Sequence, residues 1–241
     1  MVLRTLDAGA DKPLPFLTDS TEPNPALGVR GYRTDFTTPG VLERQLEAIA
    51  LAEKQSGADV WVMAPMISTA EEAARFATMC AEASIKTPGV MVEVPSAALT
   101  ADTILREVAF ASLGTNDLTQ YAMAADRQLG PLAGLNTPWQ PAVLRLVGLT
   151  VEGSRAEGHN KPVGVCGEAA ADPALAVVLT GLGVTTLSMT ARSLAAVAAV
   201  LKTVTLAEAQ ELAKLALSAP SAVEARAWVR EKLPVLEELG L

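Results

Sequence analysis

The stretch Val108-Ala-Phe-Ala-Ser-Leu-Gly-Thr-Asn-Asp-Leu-Thr-Gln-Tyr121 runs from an apolar segment, across a glycine, into an amide and a carboxylate side by side. A short apolar run that ends at a glycine is typical of a buried β-strand. Asn116 and Asp117 follow the end of this strand, which is where α/β enzymes place their ligand-binding groups. The alternative role for either residue is to cap the next helix, which both types do commonly. Taken alone, the stretch supports a site and a cap equally.

Strand-like and helix-like segments alternate outward from this stretch in both directions. The predicted strands cover residues 2–6, 60–63, 90–93, 110–113, 163–166 and 185–189. One predicted helix opens at Asp117, and the others cover residues 40–56, 69–84, 97–107, 140–157, 173–181, 192–202, 206–217 and 221–233. Strict alternation of strands and helices implies a parallel sheet.

Two folds fit six strand units with this connectivity: a doubly wound open sheet, and part of an eight-stranded TIM barrel. No Gly-x-Gly-x-x-Gly loop follows any predicted strand, which weakens the case for a dinucleotide-binding fold. Polar residues follow nearly every predicted strand, and a site built from the ends of many strands is typical of the barrel. We therefore expect an α/β fold of the (β/α)8 TIM-barrel type. We expect it to form one domain over residues 1–241, because no linker or low-complexity tract divides the chain.

The bulk composition argues against several classes of function. The net charge of −8 is unfavourable for a nucleic-acid-binding surface. The single histidine, His159, excludes a histidine metal cluster, and its polar neighbours predict a solvated loop residue. The first residues lack the basic start, apolar stretch and cleavage site that we would expect of a secretion signal, and no apolar run approaches the about 18 residues that a membrane span needs. Two widely separated cysteines fit a reducing compartment, so we expect a cytoplasmic protein without membrane insertion.

Two carboxylates are candidates for a metal site. Glu93 ends the predicted strand that precedes the strand leading to Asp117. Neighbouring parallel strands lie about 4.8 Å apart, so carboxylates at adjacent strand ends can share one cation. Oxygen ligands with octahedral geometry suit Mg²⁺, with water and substrate completing the coordination. The alternative role for Glu93 is a buried ion pair with an arginine.

Four arginines are candidates for binding an anion, because a guanidinium can contact a phosphate or carboxylate through two hydrogen bonds. Arg4 lies in the first predicted strand, where a buried charge is costly unless it is paired. Arg30 follows a loop-like stretch that would bring it to the mouth of the barrel, and Arg127 lies in the turn after the Asp117 helix. For any one of them taken alone a structural role is favoured, and Arg33 is also a candidate surface residue.

Cys166 stands at a predicted strand end within Gly164-Val-Cys-Gly-Glu168. Its glycine neighbour makes the thiol reachable by a ligand, which favours a role as an acid or nucleophile. The alternative is a small buried apolar residue. Cys80 lies among alanines and a methionine in a predicted helix, and we expect it in the core.

The motifs that contain these residues resemble those of the phosphoenolpyruvate-utilising enzymes, in the same order. Within that family they are similar to the C-terminal substrate-binding domain of enzyme I of the bacterial phosphoenolpyruvate:sugar phosphotransferase system. The combination is specific and spans nearly the whole chain. The motifs are Arg4-Thr-Leu-Asp-Ala-Gly-Ala-Asp-Lys12, Asn24-Pro-Ala-Leu-Gly-Val-Arg30, Val90-Met-Val-Glu-Val-Pro95, Gly114-Thr-Asn-Asp-Leu-Thr-Gln-Tyr121, Asp126-Arg127 and Gly164-Val-Cys-Gly-Glu168.

The resemblance implies a role for each candidate residue. The arginines that would bind the phosphate and carboxylate of phosphoenolpyruvate are Arg4, Arg30 and Arg127. Glu93 and Asp117 would hold Mg²⁺, and Asn116 would contact the phosphate. Cys166 would protonate the methylene carbon as enolpyruvate becomes pyruvate. The resemblance further implies phosphoryl transfer to a histidine on a separate N-terminal domain and then to the carrier protein HPr, together with a homodimeric assembly.

The sequence departs from the family pattern in three places. It contains no phospho-histidine domain, and the family barrel would have two more strand–helix units before the one that contains Arg4. We therefore expect an N-terminally incomplete barrel that cannot complete phosphoryl transfer alone. Ala10 replaces a second glycine of the family motif. Two alternative functions stay open: the substrate domain of a pyruvate phosphate dikinase or phosphoenolpyruvate synthase, and a non-catalytic module that senses phosphoenolpyruvate.

Overall fold

The computed structural model describes residues 1–19 and 21–241, which form an α/β fold with six parallel strands. The strands are β1 (Val2–Arg4), β2 (Trp61–Ala64), β3 (Thr87–Val92), β4 (Phe110–Gly114), β5 (Val163–Cys166) and β6 (Thr186–Ser188). They follow one another in a single sheet in the order of the chain. The pairs β1–β2, β2–β3 and β5–β6 are parallel. The prediction of an alternating, parallel α/β fold is confirmed, and the eight-stranded barrel stays a prediction.

Helices connect the strands throughout the described part of the chain. They are α1 (Thr34–Thr37), α2 (Val41–Ser56), α3 (Ala70–Glu82), α4 (Pro95–Leu99), α5 (Ala101–Glu107), α6 (Thr115–Met123), α7 (Pro141–Ser154), α8 (Glu168–Ala171), α9 (Pro173–Gly181), α10 (Leu194–Leu201), α11 (Leu206–Ser218), α12 (Ala222–Glu231) and α13 (Val235–Glu238). Short 3₁₀ helices cover Pro25–Leu27, Gly31–Arg33, Gly130–Leu132, Ala156–Gly158 and Ala191–Ser193.

Capping residues in the sequence explain where several helices begin. Thr69 and Glu72 form a capping box at the start of α3, in which each side chain accepts a hydrogen bond from the other's backbone N–H. Thr205 and Glu208 form the same arrangement at the start of α11. Asp172 accepts hydrogen bonds from two backbone N–H groups of α9, whose first residue is a proline.

The helix predicted over residues 97–107 is in fact two helices. α4 ends at Leu99, and Thr100 leaves the helical conformation while its hydroxyl donates to the Ser96 carbonyl at 2.9 Å. This side-chain bond competes with the helical backbone ladder, which explains the interruption. The helix predicted to open at Asp117 begins two residues earlier, at Thr115.

The chain divides into two compact units. The first comprises Met1–Val92 with Thr103–Ala111, and the second comprises Glu93–Asp102 with Ser112–Leu241. In the first, the ring of the buried Phe110 lies 5.1 Å from that of the half-buried Trp61. The core of the second is built around α9, in which the six residues that follow Pro173 are all buried. This helix packs against α10 and α11. The single barrel domain over residues 1–241 stays a prediction.

Within residues 1–19 and 21–241, no single helix is long and apolar enough to cross a membrane. Ala191–Leu201 and Leu206–Ser218 together have a suitable length and composition, but the two segments are bent by 106° relative to each other.

Candidate active site

A cluster of charged side chains follows β1 in the first unit, which we call the Asp7 cluster: Arg4, Asp7, Asp11, Lys12 and Arg30. Asp7 lies at its centre, with a side chain only 2% exposed. Its Oδ2 accepts a hydrogen bond from Lys12 Nζ at 2.6 Å and lies 3.4 Å from Arg4 Nη1. Its Oδ1 lies 3.5 Å from Arg30 Nη2, and Arg30 Nε lies 3.2 Å from Asp11 Oδ1. Three cationic groups face two carboxylates, so the cluster carries an excess of positive charge.

The cations around Asp7 keep its carboxylate ionised. Burial by itself would raise the pKa of Asp7. The hydrogen bond and charge of Lys12, followed by the charges of Arg30 and Arg4, outweigh burial and hold the pKa of Asp7 below its usual value. A buried, ionised carboxylate therefore fixes the positions of three cationic side chains.

The two arginines of this cluster differ in their exposure. Arg4 is the last residue of β1, and its side chain is 40% exposed. The sequence placed Arg4 within a strand, where its charge would be buried, and the structure does not bear out that burial. Arg30 is fully buried between Asp7 and Asp11, whereas its loop-like sequence predicted a guanidinium at an open mouth. A Cβ at Gly9 would collide with Cγ of Arg30, so this glycine makes room for the arginine side chain.

Arg33 lies outside the Asp7 cluster. Its Nη2 donates a hydrogen bond to the Ser68 hydroxyl at 2.8 Å. This contact with the loop that precedes α3 agrees with the structural role given as its alternative.

The other predicted site residues belong to the second unit, and we call them the Asp117 group: Glu93, Asn116, Asp117, Arg127 and Cys166. Asn116 and Asp117 are the second and third residues of α6, and the N-cap is Gly114, without a side-chain cap. The N-cap role is therefore wrong for both. Asn116 is exposed, and Asp117 is buried in the first helical turn, where a negative charge is favoured by the helix dipole.

Arg127 lies in the turn after α6, as predicted, and faces Asp117. Its Nη1 is 4.0 Å from Asp117 Oδ2, and its side chain is 31% exposed. The backbone N–H of Arg127 donates to Oε1 of Gln120 at 2.9 Å, and Gln120 is buried. Gln120 therefore fixes the turn that carries Arg127. Gln120 was not identified from the sequence as a residue that positions Arg127. The available signal was a polar residue one helical turn after Asn116.

Cys166 ends β5 and is partly buried. Its Sγ–H donates to the Leu113 carbonyl at 3.4 Å, which joins the end of β5 to the end of β4. The next residue, Gly167, has a φ of +87°, and a Cβ there would lie 3.9 Å from Nδ2 of Asn116. The Cys166 thiol and the Asn116 amide therefore lie at or just after the ends of β5 and β4. Cys80 is fully buried, and burial raises the pKa of its thiol to about 12, so its predicted core position is confirmed.

Glu93 and Asp117 fit the chemistry of a Mg²⁺ site only in part. Both are carboxylates, the hard oxygen donors that Mg²⁺ prefers, and both are buried. Among the residues that the structure describes, no group of three or more His, Cys, Asp or Glu side chains could hold a metal ion. A Mg²⁺ ion held by these two carboxylates would therefore take its remaining ligands from water or substrate. His159 is exposed in a turn, as predicted.

Several residues that were not among the predicted site residues hold the predicted arginines in place. Asp7 and Lys12 lie in the same motif as Arg4, and Asp11 pairs with Arg30. Their signal was the density of charges in residues 4–12. The structure brings Arg4 and Arg30 together around Asp7, and in the other unit it brings Arg127 to Asp117.

A family model described as the PEP-binding domain of PEP-utilising enzymes matches residues 1–206. Phosphoenolpyruvate-protein phosphotransferase of Streptomyces coelicolor is 57% identical over 94% of this chain and 40% of its own length. The phosphoenolpyruvate-protein phosphotransferase of Haloferax volcanii is 41% identical over 93% of this chain and 42% of its own length. A multiphosphoryl transfer protein of Xanthomonas campestris is 43% identical over 94% of the chain and 27% of its length. The chain thus spans less than half of each relative, and it belongs to the PEP-binding domain family of the phosphoenolpyruvate-utilising enzymes.

Proposed function

We propose that this chain is the substrate-binding part of a phosphoenolpyruvate-protein phosphotransferase of the enzyme I type. It binds phosphoenolpyruvate and Mg²⁺, and the phosphoryl group passes to a histidine on a separate N-terminal domain and then to HPr, with release of pyruvate. One observation carries the proposal: the segment that matches the PEP-binding model contains cationic side chains held in place on buried carboxylates. The names of the relatives favour this function over a dikinase.

The arginines bind the two anionic ends of phosphoenolpyruvate. Arg4 and Arg127 are partly exposed, so their guanidinium groups can reach a ligand while their carboxylate partners hold them in position. Arg30 is buried and contributes its charge from within the Asp7 cluster. Phosphoryl transfer depends mainly on such positioning and on neutralisation of charge, and prepositioned cations provide both.

Glu93 and Asp117 would hold a Mg²⁺ ion, which would neutralise charge on the phosphoryl group. Arg127 approaches the same carboxylate that would hold the metal, so both would place positive charge beside a bound phosphoryl group. The Asn116 amide is exposed at the start of α6 and contacts the phosphate.

Cys166 supplies the proton that converts enolpyruvate to pyruvate. Its Sγ–H bond to the Leu113 carbonyl requires a protonated thiol, which is the form that a general acid needs. The proton moves from Sγ to the methylene carbon as the enolate collapses to the ketone, and the thiolate is reprotonated from solvent.

Titration calorimetry with phosphoenolpyruvate tests the proposal. We expect Mg²⁺-dependent binding to the purified chain, weakened about tenfold in Arg127→Gln because one charge-assisted contact is lost. Arg44→Gln is the matched control, since Arg44 is an exposed arginine of α2. A wild-type chain that does not bind phosphoenolpyruvate with Mg²⁺ present would overturn the proposal.

Radiolabelled phosphoenolpyruvate tests whether the chain acts alone. We expect label to reach HPr only after the histidine-bearing domain is added, and stable labelling of the isolated chain would contradict this. A role in sugar transport, a cytoplasmic location and a homodimer are part of the proposal through the family resemblance.

A further inference from the structure

A cleft of about 770 Å³ opens in the second unit. Its lining includes Asn116 after β4, Gly167 after β5 and Thr190 after β6. The carboxyl ends of parallel strands are where α/β proteins bind small molecules. A volume of this size lies within the range of about 300–1,000 Å³ that small-molecule sites occupy.

Three arginines line this cleft. Arg226 and Arg230 are four residues apart on α12 and therefore lie on one face of that helix. Arg192 lies in the 3₁₀ turn Ala191–Ser193 that follows β6. Arg230 Nη2 donates to a main-chain carboxylate oxygen of Leu241 at 2.6 Å. Arg192 and Arg226 form no hydrogen bond or ion pair with any residue in 1–19 or 21–241.

No acidic residue of the cleft forms an ion pair with Arg192 or Arg226 within residues 1–19 and 21–241. Asp172 caps α9, where its Oδ1 accepts hydrogen bonds from two backbone N–H groups at 3.0 and 3.2 Å. Its Oδ2 accepts from the Trp139 indole N–H at 2.9 Å. Glu168 is the other acidic side chain in the lining.

We propose that this arginine cleft is a second anion site, which binds a small molecule with two or more phosphate or carboxylate groups. Arg192 and Arg226 lie on separate elements, so their guanidinium groups can each contact a different anionic group of such a ligand in bidentate geometry. The ligand would also supply the anionic partners that Arg192 and Arg226 lack within residues 1–19 and 21–241. The hydroxyls of Thr190 and Ser193 add hydrogen-bond donors to the lining.

Calorimetric titration with inorganic pyrophosphate tests this site, at low ionic strength and with a chelator present. We expect binding to the wild-type chain and a weakening of about tenfold in Arg192→Gln and in Arg226→Gln, because each removes a charge-assisted contact. Arg44→Gln, with the same change of charge on α2, should bind like the wild type. Both cleft arginines are exposed, so these variants should retain the wild-type fold in circular dichroism.

Two further measurements separate this proposal from the proposed function. Arg4→Gln should leave pyrophosphate affinity unchanged. If pyrophosphate affinity were lost in Arg4→Gln but not in Arg192→Gln or Arg226→Gln, the anion would bind at the Asp7 cluster and the second site would be overturned. Arg192→Gln and Arg226→Gln should bind phosphoenolpyruvate with unchanged affinity. A parallel loss of both ligands would make the cleft part of the substrate site, and a wild-type chain without pyrophosphate affinity would also overturn the proposal.

Discussion

Lys12 Nζ lies 2.6 Å from Oδ2 of Asp7, a carboxylate that is almost fully buried and that also contacts Arg4 and Arg30. Asp7→Asn should therefore leave Arg30 buried with only part of its ionic environment. We expect the free energy of unfolding to fall by about 1–3 kcal/mol, the cost of an unsatisfied buried group. Urea unfolding measures the loss. Glu211→Gln, which breaks an exposed ion pair with Lys214, should have almost no effect, and equal losses in the two variants would contradict the role of Asp7.

The stability that Asp7 provides should depend on pH in a defined direction. Its pKa is lower in the folded chain than its usual value of 3.8. Its contribution is therefore fully present above that value and is lost as the pH falls through the lower, folded-state pKa. We expect the stability difference between the wild type and Asp7→Asn to be constant from pH 7 to about pH 5 and to shrink below about pH 4. A difference that grows on acidification would show that the pKa is raised instead.

Gln120→Ala should weaken phosphoenolpyruvate binding although Gln120 is not among the proposed ligands. Its side chain holds the backbone N–H of Arg127, so its loss should let the turn move and cost about three- to tenfold in affinity, by analogy with one neutral hydrogen bond. Gln128→Ala, at an exposed position of the same turn, is the control. Calorimetry on both variants decides the matter, and an unchanged affinity in Gln120→Ala would exclude the positioning role.

Cys166→Ala should separate binding from chemistry. We expect phosphoenolpyruvate affinity close to that of the wild type, because the thiol acts only when the enolate is protonated. Pyruvate formation should fall at least about a hundredfold, the usual contribution of a general acid, in an assay with the histidine-bearing domain and HPr added. Cys80→Ala should instead lower stability and spare turnover, since Cys80 is a core residue. Undiminished turnover in Cys166→Ala would rule out its acid role.

Gly181→Ala should destabilise the second unit. A Cβ at the end of α9 would collide with the Ala209 carbonyl on α11, and such overpacking costs about 1–3 kcal/mol. At Gly148, in α7, the nearest atom to an added Cβ is Leu182 Cδ2 at 3.9 Å. Gly148→Ala should therefore be neutral or slightly stabilising, because alanine favours the helix. Thermal melting of the two variants provides the comparison.

The elements that the sequence predicted well are those with a clear local signal. β5 begins and ends at the predicted residues because an apolar run there is bounded by polar and glycine residues. α3 and α11 were placed within two residues because their capping boxes are local. The break at Thr100 depends on one side-chain bond, and four-residue helices such as α8 are too short to show periodicity.

The features of the candidate site that depend on burial and on ion pairing were harder to predict from the sequence. The burial of Arg30 results from contacts with Asp7 and Asp11, about 20 residues away in sequence, which a local pattern cannot reveal. The pairing of Arg127 with Asp117 was more accessible, because both flank a single helix. The motifs therefore identified the residue types correctly, whereas the identity of the carboxylate that organises the cations required the structure.

The shared contact of Arg4, Lys12 and Arg30 with one carboxylate also has an evolutionary consequence. A substitution of any of the three changes the electrostatic environment of the other two, so their effects should show epistasis rather than simple addition. A lineage that loses Asp7 would relax selection on all three positions at once. The four residues should therefore be retained or replaced together, as a single inherited unit.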